Sequence, residues 1–244
     1  MLPVDEPRLT ADLIRARHER LLVRLREAAE RAGRDPDGFR IVAVTKGFGV
    51  DVVRMALEIG LRRIGENRVQ EALPKVAAVP AVEWHLVGHL QSNKARQAVA
   101  AFDWVHSVDD VPLLRRLEAI AHDAGRQPQL LLQVNLSGEA TKSGFDADWF
   151  EAETAGYGEL AVAIRELRHA RVRGLMTMAR GGAGEDEARA TFARLREVRD
   201  RLEASLGTEL PELSMGMTAD AEAAVGEGAT LVRVGTALFG PRPA

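Results

Sequence analysis

IVAVTKGFG, residues Ile41 to Gly49, carries four apolar residues into Thr45, then Lys46, then two glycines around Phe48. A short run rich in Val and Ile, unbroken by polar residues, suits a strand buried on both faces. The lysine at its exit has two readings. Either the strand ends in solvent and Lys46 is hydrated, or Lys46 is a nucleophile on the rim of a barrel.

The same unit recurs outward from this stretch. Strands are expected at Arg40–Thr45, Arg63–Gly65, Val82–Val87, Trp104–His106, Gln129–Val134, Val172–Met176, Glu212–Ser214 and Leu231–Val234. Segments of helical period lie between them, at Asp51–Ile59, Val69–Val76, Ser92–Ala101, Val111–Asp123, Phe150–Arg168, Glu185–Leu206 and Ala219–Glu227. A further helix precedes the first strand, from Leu9 to about Arg31, with Thr10 as its cap and Gly33 as its stop. Eight short strands, each followed by a helix, in roughly 200 residues predict a (β/α)8 TIM barrel behind an N-terminal helix. The alternative is a doubly wound open sheet. That fold more often starts on a Gly-rich dinucleotide turn, and no GxGxxG follows the first strand. No Pro- or Ser-rich linker divides the chain, so residues 1–244 are read as a single barrel domain.

Composition narrows the function classes. Of 244 residues, 46% are hydrophobic and 28% charged, which suits a soluble protein with a full core. The net charge of −3 speaks against a broad nucleic-acid surface. With no cysteine, a disulfide framework, a thiolate nucleophile and a Cys-ligated metal are excluded. The lack of cysteine fits a reducing cytoplasm, and no apolar run approaches the roughly 20 residues of a membrane span. The start, MLPVDEPRLT, is unlike a signal peptide.

Barrel chemistry gathers at the C-terminal ends of the strands. Read there, the chain offers Lys46, Glu66, Asn67, His85, Gly88-His89, Ser107, Asn135, Thr177, Ser214 and Gly235-Thr236. The last part is the most telling. Ser214 to Thr218 and Gly235-Thr236 each follow a late strand and open a helix, where barrels often bind phosphate. Gly235-Thr236 is otherwise a tight turn with a helix cap. Arg233 interrupts the apolar run LVRV; it either pairs with an acidic helix residue outside the barrel or points inward to donate a hydrogen bond. His85 in EWHLVG reads more simply as a packed core histidine, and Lys142 in NLSGEATKSGF as a solvated loop lysine. His85 and His89 alone are four apart, on a strand and the loop beyond it, so no metal site is expected.

VTK, IGENRVQE, EWHLVGHLQSNK, NLSGEATKSGF, VRGLMTMA and LSMGMTADAEAAVGEGATLVRVGTALFG, in this order, resemble the pyridoxal 5′-phosphate (PLP) homeostasis protein family. That family is the single-domain relative of the alanine racemase N-terminal barrel. The resemblance runs from about Phe39 to Gly240. It implies a Schiff base between PLP and Lys46, with Ser214, Gly235 and Thr236 on the phosphate and Arg233 facing the pyridine nitrogen. Asn67 and His85 match motif positions that line the pocket. VTKG stands where many relatives have VSK and a nearby proline, and GHLQ where some have GPLQ, so the pocket rim differs.

A lysine with an ordinary pKa of about 10.4 is mostly charged at neutral pH. Burial and a neighbouring cation such as Arg233 would lower that value. An arginine at the ring nitrogen cannot accept a proton and disfavours a protonated ring. Racemases of this barrel type take their second base, a tyrosine, from a second domain across a dimer. Here the one tyrosine is Tyr157, between the fifth and sixth expected strands. The expected function is therefore a cytoplasmic, monomeric carrier or regulator of PLP that serves PLP-dependent apo-enzymes with little turnover. The alternatives are a small PLP-dependent racemase and a Schiff-base aldolase acting on a sugar phosphate.

Overall fold

The structure, a computed structural model, describes residues 9–139, 143–153 and 158–242. After helix α1 (Ala11–Arg31) come β1 (Arg40–Val44), α2 (Val50–Glu58), β2 (Arg63–Glu66), α3 (Val69–Ala78), β3 (Glu83–Leu86), α4 (Ala95–Ala101), β4 (Trp104–Val108), α5 (Val111–Ala124) and β5 (Gln129–Asn135). A two-residue strand β6 (Phe145–Asp146) precedes α6 (Ala147–Glu153) and α7 (Glu159–Glu166). The chain closes with β7 (Arg171–Met176), α8 (Glu185–Leu206), β8 (Glu212–Ser214), α9 (Ala221–Gly226), β9 (Leu231–Val234) and α10 (Thr236–Phe239).

Eight parallel strands close on themselves in the order β1, β2, β3, β4, β5, β7, β8, β9. The decisive pairing is β9 with β1, from Arg40↔Leu231 to Ala43↔Val234. It makes a barrel and rules out the open doubly wound sheet. The short β6 stands outside the ring and pairs with the end of β5, Val134↔Phe145.

Side chains alternate across each strand, so every strand feeds two cores. The larger core lies between sheet and helices and includes Ile64, Leu86, Leu114 and Phe192. Complete burial of a Leu or Phe side chain contributes about 1.5–3 kcal/mol. The smaller core fills the barrel itself with Val42, Trp104, Leu131, Met176 and Leu231. Helix α1 begins as expected, with Thr10 Oγ1 accepting from the Leu13 N–H at 3.2 Å. It buries Ile14, Leu21 and Leu25 and packs against α9 and α10. Helix α5 is capped by Asp110 and ended by Gly125.

Two expected elements differ. The helix expected over Phe150–Arg168 is two helices, because Gly158 adopts extended backbone (φ −68°, ψ 169°) as the cap of α7. Each piece then aims its own apolar residues inward, Phe150 from α6 and Leu160, Ala161 and Ala163 from α7. The helix expected from Ser92 starts with a 3₁₀ turn, Ser92–Lys94, before α4.

A buried ion pair anchors the exit of β1. Lys75 Nζ on α3 lies 2.7 Å from Glu66 Oε1 and donates to the Thr45 carbonyl at 3.0 Å. Thr45 Oγ1 donates to the same Glu66 oxygen at 2.5 Å. Thr45 and Glu66 are fully buried. Removing one partner of a buried pair strands the other charge, which costs about 3–5 kcal/mol. Lys75→Met is therefore expected to lower unfolding free energy by about that amount in urea titrations. The double variant Lys75→Met/Glu66→Gln should recover part of the loss.

Candidate functional site

The C-terminal mouth of the barrel holds a cavity of about 290 Å³. Its wall takes Val44 and Lys46 from the end of β1, Asn67 after β2 and Val87 after β3. Met178 follows β7, Met217, Thr218 and Ala219 follow β8, and β9 and its exit supply Arg233, Gly235 and Thr236. Of the residues singled out in the sequence, Lys46, Asn67, Arg233, Gly235 and Thr236 thus meet at one place. Barrel closure produces this meeting, since Lys46 leaves β1 beside the point where Gly235 leaves β9.

Lys46 is half-buried, and its amine has no hydrogen bond or ion pair among the described residues. Desolvation holds its pKa below the ordinary lysine value, followed by the charges of Arg242 and then Arg233. Gly47 makes the Arg242 contact possible. It turns the chain with φ +77°, and a Cβ there would sit 2.9 Å from Arg242 Cδ. Asn67 is held from behind by Gly88, where a Cβ would meet the Asn67 carbonyl oxygen at 2.2 Å. Ser107 Oγ donates to the Gly88 carbonyl at 2.8 Å and keeps that loop in place.

Arg233 points into the barrel. Its Nη1 donates to Ser214 Oγ at 2.6 Å and its Nη2 to the Thr177 carbonyl at 2.9 Å. Burial pushes its pKa down to about 10, partly opposed by Asp220, so it remains a cation at neutral pH. Its hydrogen-bond acceptors are neutral oxygens, so no carboxylate pairs directly with it beside the cavity, and Asp220 acts on it only from a distance.

Two expected site residues lie elsewhere. Ser214 is fully buried below the cavity, its hydroxyl engaged by Arg233 and by His106 Nδ1 at 2.8 Å. The hydroxyl that faces the cavity from the loop after β8 is Thr218, which also accepts from the Ala237 N–H at 3.4 Å. His85 is likewise fully buried, between Glu83 at 2.8 Å and His106 at 2.9 Å, and is not on the cavity wall. Both displacements have one cause: these side chains project into the barrel axis, one layer beneath the mouth.

Sequence reading placed Thr218 in the expected phosphate loop but singled out Ser214 as its hydroxyl, and it missed His106 and Arg242 as parts of the site. His106 carried a signal, a second histidine inside an apolar strand, WVH beside WHL. Arg242 carried none, being distant in sequence from Lys46. Lys142 and Tyr157 lie outside the described residues. Among the described residues no group of three or more His, Asp or Glu could hold a metal, and no helix is long and apolar enough to cross a membrane.

The donor set fits a small anionic aldehyde. Two cations, a hydroxyl-bearing loop, Asn67 and the glycine turn after β9 surround the cavity, and no carboxylate lies on its wall. Val44, Val87, Met178 and Met217 supply apolar surface for a flat ring. The volume is near the lower end of the range for small-ligand pockets.

Comparison with known proteins agrees. Residues 18–243 match the family model of the alanine racemase N-terminal domain. The pyridoxal phosphate homeostasis protein of Pseudomonas aeruginosa is 46% identical over 91% of this chain and 93% of its own length. That of Aquifex aeolicus is 38% identical over 93% of this chain and 97% of its own. The solved structure of PipY from Synechococcus elongatus, with PLP bound, is 41% identical with a TM-score of 0.75, covering 89% of this chain and all of that one. A closed barrel with a lysine at the exit of its first strand, and likeness along nearly the whole chain, lead to one conclusion: the chain belongs to the alanine racemase N-terminal domain family, among the pyridoxal phosphate homeostasis proteins.

Proposed function

We propose that the chain binds PLP in the cavity at the C-terminal mouth, covalently through Lys46, and acts in PLP homeostasis as a carrier or regulator with little turnover. The observation that carries this reading is the unpaired, half-buried Lys46 amine in a cavity with a second buried cation, Arg233, and no acidic wall. The names of the relatives and the PLP held by PipY support the same ligand.

Each residue has a task in this reading. Only a neutral amine adds to an aldehyde, and desolvation with two neighbouring cations favours the neutral form of Lys46. Thr218, Gly235 and Thr236 would hold the phosphate, with Ser214 acting from below through Arg233. Asn67 would border the ring. When bound, PLP supplies an electron sink for carbanion chemistry. Arg233 is a donor only, so a ring nitrogen facing it keeps its lone pair and the sink is weakened.

Among the described residues, the cavity wall carries no tyrosine, histidine or carboxylate that could serve as a second acid or base opposite Lys46. That supports the carrier reading over a racemase. An aldolase would use Lys46 on its substrate and show no bound chromophore. Delivery to PLP-dependent apo-enzymes, in the cytoplasm and by a monomer, extends the carrier reading; the absence of cysteine is compatible with a reducing compartment.

The purified protein given PLP is expected to be yellow, and borohydride reduction should leave the cofactor's mass on the Lys46 peptide. Lys46→Ala should lose both signals. A parent protein that stays colourless would favour the aldolase, and vigorous alanine racemisation abolished by Lys46→Ala would overturn the carrier reading. A second expectation concerns pH. Arg242→Ala removes a positive neighbour and raises the Lys46 pKa, so the midpoint of PLP loading, which rises as the amine deprotonates, should move to higher pH.

A further inference from the structure

A line of side-chain hydrogen bonds crosses the inside of the barrel, from Arg233 under the cavity to Glu83 at the opposite mouth. Arg233 Nη1 lies 2.6 Å from Ser214 Oγ, and His106 Nδ1 lies 2.8 Å from the same oxygen. His106 Nε2 is 2.9 Å from His85 Nδ1, and His85 Nε2 is 2.8 Å from Glu83 Oε1. Ser214, His106 and His85 are fully buried, whereas the Glu83 side chain is 39% exposed. Glu83 borders a second cavity with Asp103, Arg126 and Gln129, at the N-terminal ends of the strands.

The two ends of this line are chemically one-sided. A guanidinium only donates, and an ionised carboxylate only accepts. The bond from His85 favours the ionised form of Glu83 against the effect of burial, and Arg63, its Nε 3.2 Å away, and Arg40 add to it. Every member between has one donor and one acceptor role to fill.

We propose that the ends impose one direction on the whole line and make His85 and His106 positioning residues for Arg233. Arg233 donates to Ser214. Ser214 Oγ–H donates to His106 Nδ1, His106 Nε2–H donates to His85 Nδ1, and His85 Nε2–H donates to Glu83. Both imidazoles are therefore neutral and carry their proton on Nε2. The reverse order would set the bare Nε2 of His85 against a carboxylate and take from Ser214 the acceptor for its proton. Burial works in the same sense, since it depresses the pKa of both rings. The charged groups that act on them are Glu83, Arg63 and Asp103 around His85, and Arg233 beside His106. Trp104 stacks on the His85 ring at 5.6 Å and 9°, fixing its plane.

The consequence for the cavity rests on the PLP reading: the orientation of the cation beneath the cofactor is set by a line anchored at the far mouth. The direction of the line does not depend on PLP, so it is tested separately. Nitrogen-15 NMR of the imidazoles in the full chain, with no PLP added, should show protonated Nε2 and bare Nδ1 at both His85 and His106. Signals are assigned by the loss of each in His85→Gln and His106→Gln. A proton on Nδ1 of either ring, or a charged ring at neutral pH, would overturn the proposal.

In the second arm, PLP release is timed after loading. His106→Leu breaks the line and should release PLP severalfold faster than the parent. His106→Gln offers an acceptor toward Ser214 and a donor toward His85, and should restore much of the difference. Equal release from His106→Leu and the parent, or no rescue by the glutamine, would overturn the positioning role. Should His106→Leu fail to fold, the ring protonation of the parent protein still decides. Failure of the parent to bind PLP at all would instead remove the cofactor reading and leave the first arm intact.

Discussion

The pairing of β9 with β1 is the constraint on which the site depends. Across that seam Val42 lies opposite Arg233 and Ala43 opposite Val234. Just beyond, each strand leaves the sheet, β1 through Thr45 to Lys46 and β9 directly to Gly235-Thr236. The lysine and the late glycine turn are nearly 190 positions apart in the chain. Closure makes them two walls of one cavity, with Arg233 one layer below. An open sheet built from the same strands would leave the first and last edges apart and the site unassembled.

The barrel treats its buried cations in two ways. Lys75 is neutralised by Glu66 at 2.7 Å and tied to the Thr45 carbonyl, one residue before Lys46. Its charge is spent locally, in holding the exit of β1. Arg233 receives only neutral oxygens, from Ser214 and Thr177. These bonds engage Nη1 and Nη2 without bringing a carboxylate into direct contact. Burying such a group is costly, and the cost is consistent with a site that stabilises negative charge on a ligand. The same field acts on Lys46 and favours its neutral form.

Polar filling of the barrel interior separates this molecule from a barrel packed only with branched apolar residues. Val42, Trp104, Leu131, Met176 and Leu231 make a small apolar cluster. Beside it runs the line Glu83, His85, His106, Ser214, Arg233, in which each member satisfies its neighbour. A satisfied polar network in low dielectric is rigid, because breaking any link leaves a buried group unpaired. The interior thus both fills space and orients the floor of the cavity.

The amino-acid order alone determined the strands and most helices, since apolar runs and helical periods are local signals. Seven of the expected strands agree with the barrel strands to within one residue at each end, and the eighth, Trp104–His106, extends to Val108. The order also singled out Lys46, Arg233 and the Gly235-Thr236 turn, because a charge at the end of an apolar strand or within one, or a glycine before a helix, is visible without coordinates. Tertiary structure decided the rest. Whether Arg233 faces in or out depends on strand closure, which no local pattern encodes. That His85 and Ser214 lie beneath the cavity, that His106 joins them, and that Arg242 bears on Lys46 follow from distances across the barrel. Such contacts join residues far apart in the chain, and only the folded sheet sets their spacing.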